Sequence, residues 1–111
     1  MRDDRERLTD ILNATDRILE KAPADRAGLE RDEMLQVWVL LHLQVIGEAA
    51  RALSDEFRAR HPDEIWSEAV GLRNILVHHY FEIDRNLIWN VINRDLPSLR
   101  DLVERLLAIE S

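Results

Sequence analysis

The segment from Met34 to Ile46 constrains the fold most, because it is apolar on nearly every side of a helix. Only Gln36, His42 and Gln44 interrupt the apolar residues. A helix with this pattern must be buried on more than one side. The segment is too short and too polar to span a bilayer. It is therefore expected to be a buried helix of a globular protein.

Apolar residues recur at helical spacing along most of the chain and predict four helices, over about residues 2–21, 32–59, 63–79 and 84–109. Pro23 and Pro62 fall between these segments, whereas Pro97 falls inside the fourth. Pro97 should kink or split that helix near Asp95. The 111 residues contain no repeat or linker. The chain is therefore interpreted as one domain, residues 1–111, with an all-α, antiparallel fold of four helices, or five if the last is split.

The second predicted helix raises the question of what covers its apolar surface. Three other helices offer few surfaces with which to enclose it. We therefore predict that a second copy of the chain covers part of it, so that the protein is a homodimer. The alternative is a central helix wrapped by its own three neighbours.

Composition limits the classes of function. The net charge is −7 and the sequence pI is about 5.0. Such a chain repels nucleic acid as a whole, so RNA binding would need a local positive site. The basic residues are almost all Arg, which can bind phosphate through two parallel hydrogen bonds. The absence of Cys excludes disulfides and thiolate zinc sites. The charged N-terminal residues do not resemble a signal peptide, so a cytoplasmic protein without a membrane partner is expected.

The segment from Gly71 to Tyr80 contains the residues most suited to chemistry, namely Arg73, Asn74, His78, His79 and Tyr80. On a helix, Asn74 and His78 share one face, and Arg73 and Tyr80 share a neighbouring face. Arg73 and His78 are about 140° apart around the axis and about 7.5 Å apart along it. One helix does not easily direct both at the same phosphate, whereas two copies meeting at a two-fold axis could.

These residue types suit RNA cleavage without a metal, in which the 2′-hydroxyl of the substrate is the nucleophile. The reaction needs a base, an acid and a positive charge near the phosphorane. His supplies acid and base because its pKa lies near neutrality, and Arg supplies a permanent charge. The same residues are also compatible with a helix cap and a solvated surface. The residues alone leave both readings open.

The pattern Arg73, four residues, His78, one residue, Tyr80 resembles the Rx4HxY motif of the HepT family in the HEPN superfamily. The similarity extends to segments 65–74, 81–97 and 45–50, and so covers nearly the whole chain. His79 occupies a variable position within the motif. The resemblance implies a HEPN-like helical homodimer, with Arg73 and His78 of both subunits forming one endoribonuclease site.

The resemblance also implies a partner and a means of control. It implies a toxin of a toxin–antitoxin system whose antitoxin is MntA, a minimal nucleotidyltransferase. In that family the antitoxin transfers AMP from ATP onto the motif tyrosine, here Tyr80. ATP is thus used by the partner, and no cofactor or metal is expected in the chain itself. An AMP group would compete with RNA for Arg73.

Several other residues have less specific signals. Glu48 could orient Arg73 or His78, or it could be a surface charge, and Asn74 could support the site. His42 is interpreted as a core histidine with its hydrogen bonds satisfied.

Two rival functions are weighed. A di-iron helical bundle needs Glu-x-x-His pairs, and no Glu stands three positions before a His. A non-catalytic HEPN module that binds nucleotide or supports a partner transferase would use Arg73 and His78 to hold phosphate without cutting.

Overall fold

The computed structural model describes residues 3–78 and 85–109, with the side chains of residues 75–78 and 85 outside the description. This part of the chain forms seven α-helices and one π-helical segment, Val91–Asp95. The helices are α1 (Asp4–Lys21), α2 (Arg26–Arg31), α3 (Glu33–Ala52), α4 (Asp55–Arg60), α5 (Glu64–His78), α6 (Arg85–Asn90) and α7 (Leu96–Ile109). The predicted all-α fold is confirmed. None of the described helices has the length and apolarity needed to cross a membrane.

The first four helices begin where short polar side chains cap them. In each case a side-chain oxygen accepts a hydrogen bond from a backbone N–H of the first turn, which would otherwise be unpaired. The capping residues are Asp3 for α1, Asp25 for α2, Asp32 for α3 and Ser54 for α4. The cap at Asp25 starts a six-residue helix within a segment that sequence periodicity had assigned to a connection.

The prediction of one helix over residues 32–59 was wrong, because the chain leaves the helical conformation at Leu53. Ser54 stabilises this break through hydrogen bonds to the first turn of α4 and to Asp4 of α1. Its Oγ accepts a hydrogen bond from the Phe57 N–H at 3.0 Å. Its backbone N–H and its hydroxyl donate to the carboxylate of Asp4, at 2.8 and 2.7 Å. Phe57 is fully buried, so the short helix α4 is packed into the core.

Helix α3 packs against α1 on one side and α5 on another, and α7 packs against α1. The remaining side of α3 exposes four large apolar side chains, which are spaced three or four residues apart and form one row along the helix. We call this row the α3 stripe: Met34, Val37, Leu41 and Val45, with exposed fractions of 80%, 45%, 54% and 39%. The described helices therefore cover α3 only in part, and the homodimer remains a prediction.

Pro97 does not break the last helical region, because one turn before it is wound more widely as a π-helix. A proline lacks an N–H and its ring collides with the carbonyl four residues earlier, here that of Asn93. The structure accommodates this with the π-helical segment, in which the Leu96 N–H donates to the carbonyl oxygen of Val91, five residues back. The expected irregularity near Asp95 is present, but the backbone stays helical from α6 into α7.

Candidate active site

Helix α5 carries the residues that the sequence singled out. It runs without a break through Arg73 and Asn74 and is described as far as His78. The unbroken helix keeps Arg73 and His78 about 140° apart around the axis and about 7.5 Å apart along it. The side chain of His78 lies outside the description, as do His79 and Tyr80 entirely.

The backbone of α3 approaches α5 closely at Gly47. A Cβ atom added at Gly47 would overlap the Cβ of Arg73, and it would lie 2.8 Å from Arg73 Cγ and 3.0 Å from the carbonyl oxygen of Ala69. Real Cβ atoms essentially never come within 3.0 Å of a non-bonded neighbour. The absence of a side chain at Gly47 is therefore what allows the stem of Arg73 to lie against α3.

The guanidinium of Arg73 is held between two neighbours. Its Nη2 forms an ion pair with Oε1 of Glu48. Its Nη1 donates a hydrogen bond to Oδ1 of Asn74 at 3.1 Å. The Arg73 side chain is 23% exposed and that of Glu48 is 53% exposed. The structure thus brings three of the candidate residues together, with the cation largely buried and its counter-ion facing solvent.

The third nitrogen of Arg73 is in a different environment. Nε is buried and has no hydrogen-bond partner in the described part of the chain. A buried donor without a partner costs free energy. Because Nε is buried, the aliphatic part of the Arg73 side chain is packed against the protein and does not extend freely into solvent.

His42 lies away from this site and has a structural role. Its side chain is 6% exposed, its Nδ1 lies 2.8 Å from the carbonyl oxygen of Trp38, and its ring packs on the Trp38 ring. The interpretation of His42 as a core histidine is confirmed.

Comparison with known proteins assigns the family. The model of the family described as "Ribonuclease HepT-like" matches residues 11–106, which is most of the chain. The chain belongs to the HepT-like family. The resemblance inferred from Arg73, His78 and Tyr80 is thereby confirmed at the level of the family, and the family identifies the chain as a ribonuclease.

Three curated relatives are similar over most of this HepT-like chain. One from Methanocaldococcus jannaschii, named "Putative RNase", is 38% identical over 98 residues, covering 87% of this chain and 90% of the relative. One from Thermococcus cleftensis, named "Probable ribonuclease HepT", is 35% identical over 68% of each chain. One from Caldanaerobacter subterraneus, also named "Putative RNase", is 35% identical over 72% of this chain and 71% of its own. No solved structure gives a significant match.

Sequence reasoning alone did not identify Gly47 as part of the HepT-like site. A signal was present, because glycine inside a helix is destabilising by about 0.5–1 kcal/mol relative to alanine. Gly47 lies deep within the 20-residue helix α3. A glycine at such a position indicates a close approach of another backbone, but only the structure reveals that the approaching residue is Arg73.

Proposed function

We propose that this HepT-like ribonuclease is a metal-independent endoribonuclease and the toxin of a toxin–antitoxin system in the cytoplasm. Arg73 and His78 are its proposed catalytic residues, and Asn74, Glu48 and Tyr80 support or regulate the site. The observation that carries the proposal is the placement of Arg73, which is held between Glu48 and Asn74 on the same helix as His78. Glu48 offsets the charge of this guanidinium, but its N–H groups can still bind a phosphate of RNA.

The proposed reaction is attack of the RNA 2′-hydroxyl on the adjacent phosphorus atom. One His78 removes the 2′-hydroxyl proton, and a second His78 donates a proton to the leaving 5′-oxygen. Arg73 stabilises the negative charge that develops on the non-bridging oxygens of the phosphorane. The products carry a 2′,3′-cyclic phosphate and a 5′-hydroxyl.

The two acid–base roles require two histidines, which a homodimer supplies. The α3 stripe supports this arrangement, because Val45 lies one helical turn before Glu48, the residue paired with Arg73. A second copy seated on the stripe would therefore lie beside the Arg73 guanidinium. Burial of the exposed side chains at Met34, Val37 and Leu41 would provide the hydrophobic free energy of association.

Light scattering tests the homodimer. The wild type should give about twice the monomer mass of 13.0 kDa. Leu41→Glu should give monomers and lose RNA cleavage, because it places a charge in the centre of the α3 stripe. Ile109→Glu is the matched control, since Ile109 is 65% exposed and lies on α7 rather than on α3. A well-folded wild-type monomer with full activity would contradict both the dimer and the shared site.

Incubation of the pure protein with a defined RNA in EDTA tests the activity itself. We expect cleavage to persist, because no proposed step uses a metal ion. Mass spectrometry of the fragments should find 2′,3′-cyclic phosphate and 5′-hydroxyl ends. Strict dependence on added Mg²⁺ would overturn the mechanism. RNA binding without any cleavage would instead favour the non-catalytic module.

The proposed partner is an MntA-type nucleotidyltransferase antitoxin. It would silence the toxin by transferring AMP from ATP to the Tyr80 hydroxyl, with release of pyrophosphate. The added group contains a phosphate and a base, both of which resemble the RNA substrate. It would therefore occupy the region where Arg73 is proposed to bind the scissile phosphate.

A further inference from the structure

We infer that Gly47 and Glu48 act together as a positioning pair that holds Arg73 in one orientation for the scissile phosphate. Gly47 accepts the stem of the side chain, and Glu48 holds its charged end. The inference rests on the proposed role of Arg73 in the ribonuclease reaction.

The Gly47 half of the pair is steric. The Cβ and Cγ atoms of Arg73 occupy the space that any side chain at position 47 would fill, and Ala69 brings its carbonyl oxygen to the same place. Backbone cannot move away as the end of a flexible side chain can. Gly47 therefore allows the short local distance between α3 and α5 and leaves the space that the Cβ and Cγ atoms of Arg73 occupy.

The Glu48 half of the pair is electrostatic. A guanidinium has five N–H groups, two on each terminal nitrogen and one on Nε. In Arg73, Glu48 engages Nη2, Asn74 engages Nη1, and Nε is buried. With respect to the described residues, each terminal nitrogen thus retains one further N–H, and together these can serve the oxygens of a phosphate. The pair holds the cation while leaving donors for substrate.

Holding Arg73 in place matters because a free arginine side chain has many rotamers. Ordering it when substrate binds would cost conformational entropy. A cation that is already oriented stabilises developing charge without reorganising during the reaction. Because Glu48 is half-exposed, its ion pair contributes little to folding stability. Its expected effect is therefore on the orientation of Arg73, rather than on the fold.

The steric half is tested by Gly47→Ala, with Gly71→Ala as the matched control. An added Cβ at Gly71 meets nothing within 4 Å, although Gly71 lies on α5 only two residues before Arg73. We expect Gly47→Ala to lower kcat by about 100-fold, because a displacement of the Arg73 guanidinium by about 1 Å can have an effect of that size. Gly71→Ala should leave kcat unchanged. Circular dichroism checks the fold of both variants. A folded Gly47→Ala protein with wild-type kcat would overturn this half.

The electrostatic half is tested by Glu48→Gln, which also decides the inference if Gly47→Ala does not fold. The amide keeps the size and one acceptor oxygen but removes the charge. We expect kcat to fall about 10-fold with KM nearly unchanged, the sign of an interaction that matters in the transition state. Glu33→Gln, an exposed carboxylate on the same helix, should have no effect. A lower KM with unchanged or higher kcat would mean that Glu48 competes with RNA, and would overturn the inference.

Chemical rescue provides a readout that a purely structural role would not change. Guanidinium ion, kept below about 0.1 M so that the protein stays folded, should restore part of the activity of Arg73→Ala. Combining Arg73→Ala with Glu48→Gln should raise the concentration needed for half-maximal rescue by about 10-fold, whereas combining it with Glu33→Gln should not. Equal rescue in both double variants would overturn the inference. Full activity of Arg73→Ala without guanidinium would instead contradict the proposed function itself.

Discussion

Alanine at His78 is expected to reduce the rate of RNA cleavage by about 10²–10⁴-fold, the usual effect of losing a general acid or base. Arg73→Ala should cause a loss of about 10²–10³-fold, because the phosphorane loses its fixed positive charge. Both variants should also lose toxicity when expressed in cells. Cleavage of a defined RNA under single-turnover conditions measures the effect on the chemical step.

The neighbouring histidine provides the control for this prediction. His79→Ala changes the same residue type one position further along the chain and should leave cleavage intact. All three variants should keep the helical circular dichroism of the wild type. Loss of activity in His79→Ala, with activity retained in His78→Ala, would mean that the wrong histidine has been assigned.

The second large effect is expected at Tyr80, where Phe should abolish silencing by the nucleotidyltransferase while leaving RNA cleavage at least partly active. Phenylalanine keeps the aromatic ring but lacks the oxygen that would accept AMP. Tyr80 follows Arg73 by seven residues in the sequence. A group attached to its hydroxyl would thus compete with substrate for the proposed phosphate-binding charge.

Co-expression of each form with the nucleotidyltransferase measures this effect. Mass spectrometry should find one or more AMP groups on the wild-type peptide that contains Tyr80, and none on Tyr80→Phe. The competing interpretation is that Tyr80 packs beside the site or hydrogen-bonds RNA, so that the variant loses cleavage but is still silenced. Equal silencing of both forms without any adduct would show that the partner inhibits by binding alone.

The long helices of this fold could be predicted from sequence because their apolar residues repeat over several turns. Helix α1 and the all-α class were correct for that reason. The positions where helices end were harder to predict, because they depend on single polar contacts. Asp4 binds Ser54 across 50 positions of sequence and thereby helps to end α3. Short-range periodicity contains no information about such a contact.

The candidate site could be predicted in part. The residue types of segment 71–80 and their resemblance to the Rx4HxY motif singled out Arg73 and His78, and helix geometry gave their angular separation. The partners of Arg73 belong to another helix, so their contacts depend on how α3 and α5 pack. Glu48 was left open between a supporting role and a surface charge, and the structure pairs it with Arg73. A glycine inside α3 indicated a close approach at Gly47, but the residue that approaches could not be read from the sequence, because it depends on how α5 packs against α3.

The several uses of helix α3 limit how its sequence can drift during evolution. One side is committed to the core, another meets the Cβ and Cγ atoms of Arg73 at Gly47, and a third carries the exposed α3 stripe with Glu48 in line with it. A substitution that is neutral for one of these uses still has to satisfy the others. The outer side of α7, where Asp101 and Arg105 are exposed, has none of these three roles in the described part of the chain. Related chains should therefore diverge fastest along α7 and slowest along α3, even at positions of α3 that face solvent.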